Sequence, residues 1–148
     1  KDVLIVAIGS FARIALAVAD RLAQQGIGAT VVDPRWVVPV AGSVVSEAAK
    51  HRLVVTIEDG IKVGGIGTRI RQALRDAQVD TALTELGLPD EFLEHASRSE
   101  IIQRVGLDAQ SIAHDVVAQV VGARVPHARH LQQNTDANHL TQGIEPLN

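Results

Sequence analysis

The chain lacks cysteine and methionine and is poor in aromatic side chains. The absence of cysteine among its 148 residues excludes disulfides, thiolate nucleophiles, iron–sulfur clusters and cysteine-type zinc sites. Phe11, Trp36 and Phe92 are its only Phe, Trp or Tyr residues, too few for a base-stacking platform or an aromatic sugar-binding surface. No run approaches the roughly 18 to 20 apolar residues that a membrane helix needs. We therefore predict a chain that folds in water, with no membrane partner.

Charge is balanced rather than concentrated. Lys and Arg number 14 against 17 Asp and Glu, which gives a net charge of −3, and the basic residues are scattered along the chain. Nucleic-acid binding is therefore not expected. The length suits one domain with one core. Because the chain opens at Lys1 on a strand, without a methionine or a signal peptide, we expect a piece of a longer, cytoplasmic protein.

Four short runs of apolar, largely β-branched residues predict the strands of a buried parallel sheet. Segments with helical spacing separate them, which is the alternation of right-handed β-α-β units. The predicted strands are Val3–Ile8, Ala29–Asp33, Leu53–Glu58 and Ala82–Leu86. The sequence thus predicts an α/β fold.

Helix signals lie between and after these runs. Ser97 and Glu100 have the spacing of a capping box, and Asp108 is a good N-cap for the last apolar stripe. The predicted helices run from Phe11 to Gly26, over Gly42–His51, from about Ile66 to Ala77, from Ser97 to about Val105, and onward from Asp108. Pro34–Val40 is bounded by prolines, so we predict an extended connection there. We assign residues 1–123 to the domain and residues 124–148 to a disordered polar tail.

Two glycine-containing turns could bind a nucleotide. Gly9 with Asp33 resembles part of a Rossmann site, but Phe11 stands where that fingerprint needs a second glycine. The loop Gly60–Gly67 could hold an anion on backbone amides, yet it lacks the Gly-Lys-Ser/Thr of a phosphate loop. We interpret the first as a plain βα turn and the second as a glycine-rich turn for close backbone packing.

The other polar groups do not form a catalytic set. Glu58 and Asp59 end the third strand, where paired acids could bind a metal, but no His or Lys partner is identifiable, and we favour a structural or interface role. Ser10 lacks the context of a nucleophile elbow. We also expect no site at two further groups. We interpret Arg69, Arg71 and Arg75 as a solvated helix face. We interpret His127, His130 and His139 as tail residues that are too mobile to form a zinc site.

Five segments carry a family resemblance. They include Gly-Leu-Pro-Asp-x-Phe from Gly87 and Arg-x-Gly-Leu-Asp from Arg104. In order, the segments are Val3–Ser10, Val31–Val40, Thr56–Thr68, Glu85–Phe92 and Glu100–Asp108. Together they resemble the C-terminal domain of the transketolase-like thiamine diphosphate enzymes. Among these, they are most similar to the family of synthases that form 1-deoxy-D-xylulose 5-phosphate.

The resemblance implies a three-layer α/β/α fold around a mixed, mostly parallel sheet of about five strands. It implies a homodimeric parent enzyme that condenses pyruvate with D-glyceraldehyde 3-phosphate, releases CO2 and supplies isoprenoid, thiamine and pyridoxal biosynthesis. Thiamine diphosphate and Mg2+ would then be held by the two preceding domains of the same chain. On this view no catalytic, cofactor-binding or metal-binding residue lies in this chain, which is inactive alone.

Because the resemblance places the chemistry on the other two domains, we expect this domain to act at the domain or dimer interface. Trp36 lies in an apolar, proline-bounded connection, where an exposed patch would meet a partner surface. We expect Trp36→Ala to weaken dimer assembly while leaving the domain folded. The predicted interface residues are Arg35, Trp36, Glu58, Asp59, Gly64, Gly65 and Gly67. Val38 and Val40-Ala41 replace the Lys and Leu-Asp usual in the synthases, which removes ion pairs that those residues would form.

Three alternatives stay open. The chain could be a stand-alone regulatory or adaptor domain that uses the same α/β core without chemistry. It could be a small nucleotide-binding domain that uses Gly9 and Asp33. It could also be the C-terminal domain of a related transketolase or of a 2-oxoacid dehydrogenase β-subunit, which share the strand pattern.

Overall fold

A parallel sheet forms the middle layer of the structure, a computed structural model that describes residues 2–122. Its strands are β1 Val3–Ala7, β2 Ala29–Val32, β3 Leu53–Ile61 and β4 Ala82–Leu88, in the spatial order β2-β1-β3-β4. Each neighbouring pair is parallel. The predicted α/β fold is confirmed. Within the described residues, however, the sheet has four strands, all parallel, where about five in a mixed sheet were expected.

Helices cover both faces of the sheet. They are α1 Ala12–Gln24, α2 Gly42–Ala48, α3 Ile66–Asp76, α4 Arg98–Arg104 and α5 Ala109–Gly122, and a 3₁₀ turn at Gly9–Phe11 leads into α1. One core cluster joins the strands to α1 and α5, and a second cluster on the other face joins them to α2 and α3. Central β1 is completely buried because it contacts both clusters, which explains its unbroken apolar run.

Two of the strands run further than their apolar runs predict, whereas β1 and β2 each end one residue earlier, at Ala7 and Val32. β3 continues past Glu58 to Ile61, with a register irregularity against β4 after Ile57, and β4 continues to Leu88. The extension brings two backbones together, since a Cβ at Gly87 would lie 2.9 Å from the carbonyl oxygen of Gly60. Close backbone approach of this kind requires glycine and leaves no local apolar signal.

Two connections also differ from expectation. Helix α2 ends at Ala48 rather than His51. The Pro34–Val40 connection stays outside the sheet as predicted, but it contains a turn at residues 37–40 and is not extended throughout. Residues 124–148, the predicted tail with its three histidines, lie outside the described residues. Among residues 2–122, no helix combines the length and apolarity needed to cross a bilayer.

The two predicted N-caps, Ser97 of α4 and Asp108 of α5, are confirmed. The Ser97 hydroxyl accepts from the Glu100 amide, and the Glu100 carboxylate accepts from the Ser97 amide at 2.9 Å. Asp108 accepts from the amides of Gln110 and Ser111 at 2.9 and 3.0 Å and from the Ser111 hydroxyl at 2.6 Å. These bonds satisfy amides that the first turns of α4 and α5 would otherwise leave without partners.

Removing the cap of α5 tests its contribution. Asp108→Ala is expected to lower the free energy of unfolding by about 1 kcal/mol at neutral pH. The Ser111 hydroxyl and then the Ser111 amide hold the pKa of Asp108 below its ordinary value. A lowered folded pKa gives stability that is present above the unfolded pKa of about 3.9 and is lost as pH falls through the folded pKa.

The difference between wild type and Asp108→Ala, measured by urea unfolding, should therefore shrink below about pH 4. Asp108→Asn is the matched control, because the amide keeps an acceptor oxygen and does not titrate. A difference that stays constant from neutral pH to pH values well below the unfolded pKa would contradict the charged cap.

Candidate functional site

All four parallel strands end at the same edge of the sheet, here called the carboxyl edge. The chain order places β1 beside β3, so the crossovers leave in opposite directions at this point. Open α/β sheets bind ligands outside the carboxyl ends of strands at such a switch point. Ser10 follows β1 and Asp59 lies near the end of β3, so both belong to this crevice.

A polar network joins these two residues to Arg98, the first residue of α4. The Arg98 guanidinium contacts the Asp59 carboxylate through Nη1 to Oδ1 at 3.1 Å and through Nη2 to Oδ2 at 2.9 Å. Its Nη2 also donates to the Ser10 hydroxyl oxygen at 2.9 Å, and that hydroxyl donates to Asp59 Oδ2 at 3.3 Å. The guanidinium carbon lies 5.9 Å from the centroid of the buried Phe11 ring.

This network is suited to holding α4 in place rather than to catalysis. The bidentate ion pair engages both carboxylate oxygens of Asp59, and the Ser10 hydroxyl bonds to the same two residues. Helix α4 has no fully buried residue, so Arg98 supplies a directed contact between it and the sheet. The arrangement covers the switch point with this chain's own side chains.

Glu58 points away from Asp59. Consecutive residues of a strand face opposite sides, and Glu58 is directed towards α3, where only 5% of it is exposed. Its Oε2 accepts from the Ile66 amide at 2.8 Å, and its Oε1 accepts from the Gly67 amide at 2.9 Å. The two adjacent acids therefore do not form a carboxylate pair, and Glu58 caps α3 from a neighbouring strand.

The glycine-rich loop is shaped around that carboxylate. Gly64 has a φ of +75°, which favours glycine. A Cβ at Gly65 would lie 2.6 Å from the carboxyl carbon of Glu58, and one at Gly67 would lie 2.6 Å from Thr56 Oγ1. The amides that could have held an external anion at the start of α3 are bonded to Glu58. The interpretation as a close-packing turn is thus supported by geometry.

The arginines of α3 have different surroundings. Arg71 pairs with Glu85 of β4 at 2.6 Å and donates to the Leu83 carbonyl at 3.4 Å. Arg75 pairs with Asp80 at 2.9 Å, and both side chains are exposed. Among the described residues, Arg69 makes no ion pair. This agrees with a solvated, partly salt-bridged helix face.

Five large apolar side chains are exposed at the carboxyl ends of three strands or a few residues beyond them. We call them the apolar rim: Trp36 and Val38 follow β2, Ile61 is the last residue of β3, Val63 follows β3, and Phe92 follows β4. Trp36 is 71% exposed and Phe92 is completely exposed. Elsewhere in residues 2–122, only Leu16 and Val121 are large, apolar and exposed. Trp36, predicted to be exposed, is therefore one of several exposed apolar residues that lie at or after the ends of these strands.

A cavity of about 340 Å³ lies between the end of β4 and the α4–α5 turn. Its lining includes two cationic side chains and three carboxylates, namely Lys62, Arg104, Glu85, Glu91 and Asp115. Because these charges nearly cancel, the lining selects neither an anion nor a cation. Within residues 2–122, no three His, Asp or Glu side chains come together as a metal ion would require.

Some of the seven predicted interface residues are exposed in loops, and the others are engaged in contacts within the domain. Arg35 and Trp36 are exposed in the loop after β2, whereas Glu58, Gly65 and Gly67 are engaged at the β3–α3 junction. Asp59 is paired with Arg98, and Gly64 is exposed in the loop. Sequence reasoning missed Arg98 because its partners are 39 and 88 residues away, and no local spacing signals such a contact.

Comparison with known proteins identifies similar chains. The family described as "Transketolase, C-terminal domain" matches residues 1–112. A 1-deoxy-D-xylulose-5-phosphate synthase of Clavibacter sepedonicus is 67% identical over 136 residues, which covers 92% of this chain and 21% of that protein. A protein of the same name from Paenarthrobacter aurescens is 62% identical over 146 residues, which covers 99% of this chain and 22% of that protein.

The chain thus spans about a fifth of the length of the curated relatives that it matches. Among solved structures, a split-gene transketolase described as an inactive beta4 tetramer has a TM-score of 0.72 and 30% identity, covering 82% of this chain and 39% of that one. A transketolase variant of Pichia stipitis has a TM-score of 0.53 at 16% identity, covering 84% of this chain and 17% of that one. The second likeness concerns the fold alone.

Proposed function

The chain belongs to the transketolase C-terminal domain family, and on that premise we propose that it is the C-terminal domain of a 1-deoxy-D-xylulose-5-phosphate synthase. The observation that carries the proposal is the 67% identity over 92% of the chain to a protein of that name. Within that similarity, Gly87–Phe92 and Arg104–Asp108 carry the two patterns that favour the synthases over related enzymes.

The parent enzyme would condense pyruvate with D-glyceraldehyde 3-phosphate, release CO2 and form 1-deoxy-D-xylulose 5-phosphate. Thiamine diphosphate, held through Mg2+, would supply the carbanion chemistry of that reaction. The product would feed isoprenoid, thiamine and pyridoxal biosynthesis. The enzyme would work as a cytoplasmic homodimer.

The residues present here do not fit a site for that cofactor. The amides at the start of α3, which could hold a diphosphate, are bonded to the buried Glu58 carboxylate. Residues 2–122 contain no cluster of three metal-ligating side chains. The cofactor would therefore be bound by the preceding domains.

This domain would contribute an assembly surface. Arg35 directly precedes Trp36 of the apolar rim, is exposed, and makes no ion pair within residues 2–122. Exposed apolar side chains clustered at one edge are typical of surfaces that are covered in an assembly. Asp59 with Arg98, and Glu58 with the glycine loop, would fix the shape of that surface from inside the domain.

The full-length protein tests the proposed activity. With pyruvate, D-glyceraldehyde 3-phosphate, Mg2+ and thiamine diphosphate, it should release CO2 and form 1-deoxy-D-xylulose 5-phosphate, and omission of thiamine diphosphate should abolish both. Residues 1–148 alone should bind neither thiamine diphosphate, NAD nor ATP in calorimetry. A full-length protein that forms no product from this pair, but transfers ketol groups between sugars, would contradict the assignment.

Trp36→Ala is expected to weaken subunit association of the full-length protein by about tenfold or more, since exposed aromatic anchors dominate many interfaces. Sedimentation velocity over a dilution series measures the effect. Leu16→Ala is the matched control, because Leu16 is also large and exposed but lies within helix α1 and not at or after the end of a strand. Equal dissociation of wild type and Trp36→Ala would refute a role in assembly.

A further inference from the structure

Asp59 is followed by Gly60, and no other aspartate or asparagine in the sequence precedes a glycine. In an Asp-Gly sequence, the backbone amide nitrogen of the glycine can attack the side-chain carboxyl carbon of the aspartate. Glycine favours this attack because it has no Cβ to shield its amide. Asp59 is therefore the residue at which the backbone of this chain is most open to rearrangement.

The rearrangement has two steps and needs only water. In the first, the Gly60 nitrogen bonds to the carboxyl carbon of Asp59, and the carboxyl hydroxyl leaves as water with the proton of that amide. A succinimide ring results. In the second step, water adds to one of the two ring carbonyls, and the bond from that carbonyl to nitrogen breaks. Opening at the side-chain carbonyl restores aspartate, whereas opening at the backbone carbonyl gives isoaspartate, whose main chain runs through the former side chain.

The sheet is irregular where this sequence lies. Between consecutive pairs of the register, β3 advances from Ile57 to Ile61 while β4 advances by only two residues. Such a bulge locally disrupts the ladder that holds a regular strand extended. The Asp59 side chain is also 37% exposed, so water can reach a ring formed there. Both the backbone and the surroundings of Asp59 thus permit the reaction.

The ion pair with Arg98 opposes the reaction. The guanidinium holds Asp59 Oδ1 at 3.1 Å and Oδ2 at 2.9 Å, and the Ser10 hydroxyl donates to Oδ2 at 3.3 Å. To react, the carboxyl carbon must turn towards the Gly60 nitrogen, and one of its oxygens must leave as water. Both changes break contacts with Arg98, so the bidentate pair raises the barrier.

We propose that Asp59 is a site of spontaneous isoaspartate formation and that Arg98 limits its rate. Isoaspartate adds one atom to the main chain of β3 and shortens the stem of the carboxylate, which breaks the bidentate pair. Helix α4 has no fully buried residue, so it then loses its directed contact with the sheet. This chemistry is independent of the reaction that the parent enzyme catalyses.

Ageing of the full-length protein at neutral pH over several weeks tests the proposal. The tryptic peptide Leu53–Lys62 contains Asp59 as its only aspartate. Its isoaspartate form has the same mass, separates from the aspartate form in reversed-phase chromatography and is methylated by protein isoaspartate methyltransferase. Arg98→Gln should form it about fivefold faster than wild type, because that variant lacks the exposed ion pair. Arg98→Lys keeps the charge without the planar fork, and its rate should lie between the two.

Two further variants serve as controls. Arg71→Gln removes an ion pair with Glu85 whose arginine is about as exposed as Arg98, and it should leave the rate at residue 59 unchanged. Gly60→Ala should abolish most of the reaction, because the methyl group shields the amide. A Cβ at Gly60 would lie 3.5 Å from Glu58 Oε2, an ordinary contact, so this variant should keep the fold.

The rates distinguish the outcomes. Isoaspartate that forms in wild type, faster in Arg98→Gln and hardly at all in Gly60→Ala supports the proposal. Its absence from both wild type and Arg98→Gln overturns the site, and equal rates in these two proteins overturn the role of Arg98. Equal acceleration in Arg71→Gln also overturns that role, because general loosening of the domain would then suffice. Thermal midpoints measured before ageing ensure that folded proteins are compared.

Discussion

Replacing Glu58 by alanine is expected to lower the free energy of unfolding by about 2 to 4 kcal/mol, since hydrogen bonds to a charged group contribute more than neutral ones and their buried donors would lose a partner. The carboxylate is 5% exposed and accepts from two consecutive amides at the start of α3. Alanine leaves the Ile66 and Gly67 amides unpaired and opens a space beside Gly65. Water entering that space would satisfy the amides in part, which sets the lower end of the range.

Two measurements separate a local from a general effect. Urea unfolding gives the total loss, and hydrogen exchange at Ile66 and Gly67 should become much faster than exchange in β1. Glu94→Ala is the control, because Glu94 is an exposed acid that lies 3.6 Å from Arg104. We expect that change to cost less than about 0.5 kcal/mol. Unchanged exchange at the start of α3 in Glu58→Ala would show that Glu58 does not cap the helix.

The orientation of Glu58 follows in part from strand periodicity. The sequence predicts Leu53–Glu58 as a continuous buried run, and within such a run alternation still sends residues 58 and 59 to opposite faces. That alternation alone assigns Glu58 and Asp59 to different sides of the sheet. It does not identify the amides of residues 66 and 67 as the partners of Glu58, since those depend on how the loop returns to β3.

Elements with local signals were predicted well, and contacts between distant elements were not. Ser97 with Glu100 and Asp108 with Ser111 form caps within three residues, so spacing alone indicates them. Arg98 pairs with Asp59 across 39 residues, and no local pattern indicates that pair. β3 continues to Ile61 because its backbone pairs with β4, whose Gly87 permits close approach to Gly60. Strand ends of this kind are decided by the neighbouring strand.

Gly67→Ala is expected to destabilise the domain by about 2 to 3 kcal/mol through overpacking. The added methyl group would lie 2.6 Å from Thr56 Oγ1 and 2.9 Å from the Cγ of Glu85. The Glu85 side chain can shift, but Thr56 is completely buried on central β3 and cannot. Helix α3 must therefore move away from the sheet, which strains the Glu58 bonds to Ile66 and Gly67.

Gly42→Ala is the matched control for this change. Gly42 is the first residue of α2, as Gly67 is the second of α3, and a Cβ there meets no atom within 4 Å. Alanine at position 42 should leave stability unchanged or raise it by up to about 1 kcal/mol, since it restricts the unfolded chain. Urea unfolding of the two variants should thus give shifts of different size, and equal losses would contradict the steric explanation.

A second change at position 56 tests whether the clash with Thr56 carries the effect. The Thr56 hydroxyl oxygen is buried and has no hydrogen-bond partner in the described part of the chain, so its removal forfeits no bond. Thr56→Ala alone should cost about 1 kcal/mol through lost packing. Combined with Gly67→Ala, it removes the atom that meets the new methyl group, and the two costs should fall short of additivity by about 1 kcal/mol or more. Strict additivity would mean that contact with Glu85, rather than with Thr56, limits the size of residue 67.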